Sequence, residues 1–123
     1  MAVTVTNQAN PIANKLVQDT DADEVGAFNT TGAAGTLYYL EVDNTANSGQ
    51  TVYLKMSEDV TGITVGTTAP HYAFMLKGGA RRSFVFPVGL VFSAGFSHWC
   101  VTGAGTAGTT APTNPVVVRY LTT

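Results

Sequence analysis

The chain has 123 residues, a formal net charge of −2 at pH 7 and only 11% charged residues. A chain of this length forms one ordinary domain and buries about two-thirds of its unfolded surface, so folding does not require disulfides or metal ions. The small negative charge gives no reason to expect nucleic acid as a partner, because phosphate binding needs clustered Lys and Arg side chains. So low a charged fraction is typical of a protein that packs against copies of itself or against a partner.

Targeting and membrane signals are not expected from the sequence. Its start, MAVTVTNQANPIANK, lacks the basic beginning and apolar run of a signal peptide. The most apolar segment, FVFPVGLVFSAGF, is too short for a membrane span and is interrupted by Pro87, Gly89 and Gly95. We therefore expect no membrane partner. A single cysteine, Cys100, excludes an internal disulfide.

Residues 1–35 differ in composition from the rest of the chain. They are polar, poor in aromatic residues and rich in turn formers, although the AVTVT run predicts a strand. A segment with so little apolar surface does not build a core alone. Two alternatives remain open: an N-terminal arm that orders on a partner, or additional strands of the domain at 36–123.

The DTDADE run at 19–24 has acids at the first, third and fifth positions, as a calcium loop does. An EF-hand loop also needs Gly at its sixth position and Glu at its twelfth, where this chain has Glu24 and Thr30. We expect a solvated acidic turn here, and an irregular calcium site is the less favoured alternative.

Apolar and polar residues alternate repeatedly from residue 37 onward, which predicts strands. The clearest runs are TLYYLEVD, TVYLKMS and VVVRYL, and clusters of Gly, Pro, Asn and Ser separate them. About seven or eight short strands at this spacing predict an all-β fold. We expect an antiparallel β-sandwich that is jelly-roll-like, with an extended N-terminal arm.

The stretch GTTAP occurs at 66–70 and again at 108–112. Gly supplies positive φ, Thr favours extended backbone, and Pro keeps its predecessor extended, so turn chemistry accounts for both copies. The GAGTAG run at 103–108 matches G-x-G-x-x-G, but the following TTAPTNP cannot begin the helix that a dinucleotide site needs. We interpret it as a flexible loop and expect no cofactor.

His98 and Cys100 lie two residues apart, on the same side of a predicted strand. A zinc site needs three or four ligands, and the chain has no second cysteine to complete a set. A Cys–His nucleophile pair needs its two members on different elements. We expect Cys100 in the core, His98 as a hydrogen-bonded or interface residue, and no enzyme activity.

Three aromatic residues, Tyr39, Tyr53 and Trp99, lie on strand phases opposite the main apolar set. Exposed aromatic side chains of a β-sandwich stack on sugars or fill a subunit interface. Because the chain is so poor in charge, the subunit interface is the favoured role and glycan stacking is the alternative.

Residues 51–121 resemble a small β-domain that recurs in structural proteins of tailed bacteriophages. A VYLKM strand leads to the TVGTTAP loop, an apolar strand and a Gly turn, and then to FPVGLVFSAG, of the pattern F-P-x-G-L-x-F-S-x-G. The VTGAGTAGTT loop precedes the closing strand. The SHWCV run departs from the smaller apolar strand of that pattern.

The resemblance implies a non-enzymatic virion component on the outer capsid surface. The expected function is that of a capsid decoration (cement) protein, with the major capsid protein and further copies of the chain, as a homotrimer, for partners. The alternative is the knob of a short head or tail fibre, which would bind a receptor or glycan. The decoration hypothesis treats residues 1–17 as a removable capsid-contact arm. The candidate contacts are Val3, Val5, Asn7, Gln8, Asn10, Ile12 and Lys15.

Overall fold

The structure, a computed structural model, describes residues 2–7 and 13–123. These residues form eight β-strands and no helix. In chain order the strands are β1 (Val3–Asn7), β2 (Lys15–Ala22), β3 (Gly35–Asp43), β4 (Val52–Ser57), β5 (Tyr72–Leu76), β6 (Arg81–Phe92), β7 (Ser97–Val101) and β8 (Val116–Thr122).

The strands form two antiparallel sheets that pack as a sandwich. The larger sheet has the order β1-β2-β8-β3-β6 and the smaller one the order β5-β4-β7. The predicted all-β fold and antiparallel sandwich are therefore confirmed, while the jelly-roll winding stays a prediction.

Alternation along the strands explains how the core forms. In β8, Val116, Val118 and Tyr120 are fully buried, whereas the intervening residues are half-exposed. In β4, Val52, Leu54 and Met56 are buried in the same way and face the same core. Side chains two residues apart point to one face of a strand, so each of these strands contributes one apolar face to the space between the sheets.

Both described parts of the first 35 residues join the larger sheet. β1 pairs along β2, with Val5 opposite Val17, and β2 pairs in turn with β8. Val17 and Ala22 of β2 are buried in the core. In the described part of the chain, the edge strand of this sheet on that side is β1, which has five residues, the last four of them exposed.

Asp19 corrects the expectation of a solvated acidic turn over residues 19–24. It lies in β2, and only 1% of it is exposed. The pairing of β2 with β8 is irregular between Asp19 and Ala22. Asp19 lies two residues after Val17 on β2 and therefore points to the same, inner face. The acidic run 19–24 is thus not entirely at the surface.

β6, at the other edge of the larger sheet, carries a wide bulge. Leu90 stands opposite Leu37 and Val85 opposite Tyr39, so residues 86–89 face a single residue of β3. Gly89 adopts a φ of 85°, a conformation that side chains with a Cβ rarely take. The bulge projects Val88, which is 92% exposed.

The two lateral edges of the sandwich differ. On the side that we call the open edge, β5 lies over β6. Three aromatic rings, which we call the aromatic seam, fill the space between these two strands. The ring centroids of Phe74 and Phe84 are 4.8 Å apart, and those of Phe74 and Phe86 are 6.3 Å apart. On the side that we call the closed edge, segment 23–31 runs along β7. Ala27 and His98 exchange backbone hydrogen bonds of 2.8 and 2.9 Å there.

Candidate functional sites

Four polar side chains from distant parts of the chain form a buried hydrogen-bonded cluster. Asp19 Oδ2 lies 2.7 Å from His98 Nε2, and His98 Nδ1 lies 3.1 Å from the Tyr120 hydroxyl. That hydroxyl also hydrogen bonds to Thr30 Oγ1. Asp19 and His98 are 1% and 0% exposed, so the cluster belongs to the interior.

The surroundings of the cluster shift the acidities of its members. Burial, the largest influence on the Asp19 carboxyl, raises its pKa. The hydrogen bond and the electrostatic interaction with His98, together with hydrogen bonds from Asp21, nevertheless bring that pKa below its ordinary value. Burial also raises the pKa values of the Tyr120 hydroxyl and the Cys100 thiol, so both groups stay protonated at neutral pH.

A carboxylate, an imidazole and a hydroxyl that are hydrogen-bonded in series resemble the catalytic triad of a hydrolase, but here they connect structural elements. A nucleophile must meet its substrate, and Tyr120, like Asp19 and His98, lies inside the core. The cluster joins β2 and β8 of the larger sheet to β7 of the smaller one. Through Thr30 it also holds the segment that covers the closed edge.

From the sequence we expect Cys100 in the core and His98 as a hydrogen-bonded or interface residue; both residues are fully buried, and His98 is hydrogen-bonded. The partner of His98 was not predictable from the sequence, because Asp19 lies 79 positions away in the chain. The one indication in the sequence that Asp19 is buried was its spacing of two residues from Val17, which places both side chains on the same face of β2.

An apolar row crosses the outer face of the larger sheet. Leu16 pairs with Leu121, Leu121 with Tyr39, and Tyr39 with Val85, so one side chain comes from each of four adjacent strands. The neighbours of these residues along their strands point into the core, which turns the row to the outside. Val85 is 66% exposed, and Val91 further along β6 is 72% exposed.

The charged residues beside the apolar row neutralise one another. The Glu41 carboxylate accepts hydrogen bonds from Arg81 at 3.0 Å and from Arg119 at 3.2 Å. Hydrogen bonds from Thr45 lower the pKa of Asp43, and the charges of the two arginines lower it further. Two acids and two bases thus leave this part of the face without net charge.

The three aromatic candidates are not brought together. Tyr39 lies in the apolar row and is half-buried, and its hydroxyl donates to Glu41 Oε2 at 3.2 Å. Tyr53 is half-buried on the smaller sheet. Trp99 is only 1% exposed, so the expectation of an exposed side chain is wrong for this residue.

Loops explain the burial of Trp99. Its cross-strand partner Lys55 is 0% exposed and donates a 2.5 Å hydrogen bond to the Gly105 carbonyl oxygen. The 102–110 loop therefore lies over the outer face of the smaller sheet. Alternation predicted one exposed face for this strand, whereas the loop covers both partners.

The two GTTAP copies lie against each other in these loops. Gly66 has a φ of 93°, and a Cβ at this position would lie 2.4 Å from Thr109 Cγ2 of the second copy. The repeated motif thus supplies two turns that pack together. No group of three or more potential metal-ligating side chains occurs among residues 2–7 and 13–123.

A cleft of about 300 Å³ lies between the 46–50 loop and residues 113–114. Its amide groups are already engaged with each other, since Asn47 Nδ2 donates to the Asn114 carbonyl at 2.9 Å and Asn114 N donates to Asn47 Oδ1 at 2.8 Å. These bonds fasten the β7–β8 loop to the β3–β4 loop, which is a structural role.

The candidate arm contacts fall in two places. Val3, Val5 and Asn7 lie in β1, and Lys15 begins β2 with its Nζ 3.2 Å from the Thr31 carbonyl oxygen. Gln8, Asn10 and Ile12 lie outside the described residues. Removal of residues 1–17 would take the buried Val17 out of the core, so this segment is not a dispensable arm in the structure.

Comparison with protein-family models, with curated proteins and with solved structures finds no match for the chain. Within the described part of the chain, no helix is long and apolar enough to cross a membrane. The fold and the surfaces therefore carry the functional argument.

Proposed function

We propose that the chain is a non-enzymatic phage virion protein, a capsid decoration protein that binds the outer capsid surface and stabilises it. The observation that carries the proposal is the apolar row on the outer face of the larger sheet. Its partners are the major capsid protein and further copies of itself in a homotrimer.

The chemistry of this face suits binding by burial rather than by charge. The apolar row lies next to a cluster in which Glu41 is paired with two arginines. Burying one exposed Val side chain contributes about 1.5 kcal/mol before ordering costs are subtracted. Each subunit therefore binds weakly, and a trimer that makes three such contacts at once binds as one multivalent unit.

The N-terminal residues extend the same surface. Among residues 2–7 and 13–123, β1 pairs with β2 alone, and we assign its other edge to strand addition with a partner. Its exposed Thr4, Thr6 and Asn7 supply hydrogen-bonding side chains. In this proposal, β1 is the capsid-contact strand, and β2 is part of the domain.

The alternative function is that of a receptor-binding or glycan-binding knob. The observation that favours it is Tyr39, a half-buried ring whose hydroxyl lies 3.0 Å from Ser83 Oγ and 3.2 Å from Glu41 Oε2. An aromatic face bordered by polar groups stacks on sugars.

The test uses capsids from a phage in which the gene for this protein is disrupted. Co-sedimentation measures binding of the wild type, of Val85→Lys and of the matched control Thr61→Lys, which adds the same charge to an exposed loop. We expect at least tenfold weaker binding for Val85→Lys and no change for the control. Equal binding by all three, or no binding of the wild type to capsids together with binding to host glycans, would overturn the decoration proposal.

A truncation tests the role of β1 separately. Removal of residues 1–7 takes away the exposed strand and leaves Val17 in place. We expect a folded domain, by circular dichroism, that attaches poorly to the same capsids. Unchanged attachment would exclude β1 as a capsid contact.

A further inference from the structure

The open edge carries unpaired positive charge around an apolar centre. Lys77 and Arg82 are exposed there, and neither forms an ion pair within the described part of the chain. The Arg82 guanidinium lies 5.5 Å from the centre of the Phe84 ring. The aromatic seam and the tip of the β6 bulge, Val88, provide the apolar part of this surface.

The closed edge, on the opposite side of the sandwich, has the complementary character. Val25 and Phe28 of segment 23–31 are 62% and 43% exposed. Asp23 and Glu24 lie beside them, half-exposed, and form no ion pair among residues 2–7 and 13–123. Contacts between the sheets place the two surfaces at opposite ends, since β5 lies over β6 and β7 lies over β2.

We propose that copies of this chain assemble head to tail, with the open edge of one copy packed on the closed edge of the next. The proposal deepens the homotrimer of the proposed function and rests on it for the number of subunits. A contact between two different surfaces is heterologous, and it forms a closed ring when the rotation between subunits allows closure.

Charge decides between this arrangement and its symmetric alternatives. Two open edges in contact would place Lys77 and Arg82 against the same cations of the second copy. Two closed edges would place Asp23 and Glu24 against acids. Like charges brought together at an interface disfavour it, whereas the head-to-tail contact pairs cations with acids and valines with aromatic rings.

The area available also favours a ring over an open dimer. An edge two sheets deep and about 25 Å long offers on the order of 500 Å² per copy, less than the about 800 Å² per partner of a standard interface. A single contact of this size is weak. In a closed ring every copy makes two such contacts, so closure doubles the area that each copy buries.

Charge reversal provides the first experiment. Sedimentation of the full chain would be compared for the wild type, Arg82→Glu, Glu24→Arg and the double variant, with Asp59→Arg as a matched control on an exposed loop. We expect a trimer for the wild type, at least tenfold weaker association for each single variant, and restored association for the double variant. A monomeric wild type, or a double variant no better than the singles, would overturn the proposal.

Cross-linking distinguishes head-to-tail from symmetric contacts. Val88→Cys and Val25→Cys would be treated with a short bismaleimide, singly, mixed, and combined in one chain; the native Cys100 is buried and does not compete. We expect covalent dimers from the mixture, covalent trimers from the combined variant, and neither from single variants. Dimers from Val88→Cys alone would establish a symmetric contact, and no product in any sample would also refute the arrangement.

The outcomes separate this inference from the proposed function. A Val85→Lys chain that still forms trimers but fails to bind capsids would be consistent with the head-to-tail inference. It would also show that the capsid contact includes Val85. An Arg82→Glu chain that is monomeric and binds capsids with reduced avidity would support both. A wild-type monomer that binds capsids fully would overturn the head-to-tail inference and the homotrimer, and would leave the capsid-binding role in place.

Discussion

The closed and open edges of this sandwich differ in how they protect their edge strands. A strand at the edge of a sheet exposes unpaired backbone groups that other chains can use. At the closed edge, segment 23–31 occupies those of β7, the edge strand of the smaller sheet, through hydrogen bonds such as Cys100 N to the Asp23 carbonyl at 2.9 Å and Thr30 N to the Phe96 carbonyl at 2.8 Å. At the open edge, Pro87 and the bulge at 86–89 interrupt the strand while the apolar side chains stay accessible.

This difference between the two edges suggests that the closed edge contributes to the stability of the fold and the open edge to association between copies. The covering segment is tied to the core through Thr30, Tyr120, His98 and Asp19. The open edge has no comparable polar anchor among the described residues, and its seam is only half-buried. We therefore expect substitutions at the closed edge to act on folding, and those at the open edge to act on assembly.

Removal of the Asp19 carboxylate should have the largest effect. Asp19→Ala leaves His98 buried without its 2.7 Å partner. Breaking a buried, hydrogen-bonded pair in this way costs about 3–5 kcal/mol. Urea denaturation would measure the free energy of unfolding, with Asp59→Ala as the exposed control. A loss below about 0.5 kcal/mol, within the range of surface substitutions, would show that the cluster does not anchor the closed edge.

Truncation of the seam should have an intermediate effect on the isolated subunit. Phe84 is half-buried and contacts Phe74. A fully buried Phe→Ala change costs about 3–5 kcal/mol, so we expect about 2 kcal/mol for Phe84→Ala. Because the open edge is an assembly surface in our proposal, the loss should grow with protein concentration. Thermal unfolding at several concentrations would check this, and Met75→Ala, 45% exposed on β5, is the control.

Acid should weaken the closed edge through Asp19. The pKa of this carboxyl is lower in the fold than its ordinary value of 3.8. Its contribution is therefore fully present above the unfolded pKa and is lost as the pH falls through the lower folded pKa. We expect the free energy of unfolding to decline less steeply below about pH 4 in Asp19→Asn than in the wild type. Parallel declines in the two proteins would contradict this role.

Alternation of apolar and polar residues predicted the strands that have one buried face and one solvent-exposed face. TVYLKMS became β4 and VVVRYL became β8, with the expected residues buried. In β3 the phase changes at the bulge between Leu37 and Tyr39, so Leu37 is buried rather than Tyr38. Such an irregularity depends on the pairing partner and has no local signature.

The candidate sites were less predictable because they depend on distant segments. β7 is buried on both faces, so the exposed position that alternation predicted for Trp99 was wrong. The partners of Asp19 and Lys55 come from residues 79 and 50 positions away. The apolar row also needs the strand order β2-β8-β3-β6, which no single segment encodes.

The smallest effect on folding should come from Val88, where the comparison between edges is sharpest. Val88→Thr keeps the β-branched shape at a position that is 92% exposed, so it removes almost no buried contact from the subunit. Surface substitutions of this kind change stability by less than about 0.5 kcal/mol. We expect unchanged urea denaturation at low concentration together with weaker self-association in sedimentation, because an added hydroxyl must be desolvated at an apolar contact. Val25→Thr at the closed edge should weaken association similarly if the two edges meet. Weakening by only one of the two substitutions would mean that the surfaces do not contact each other.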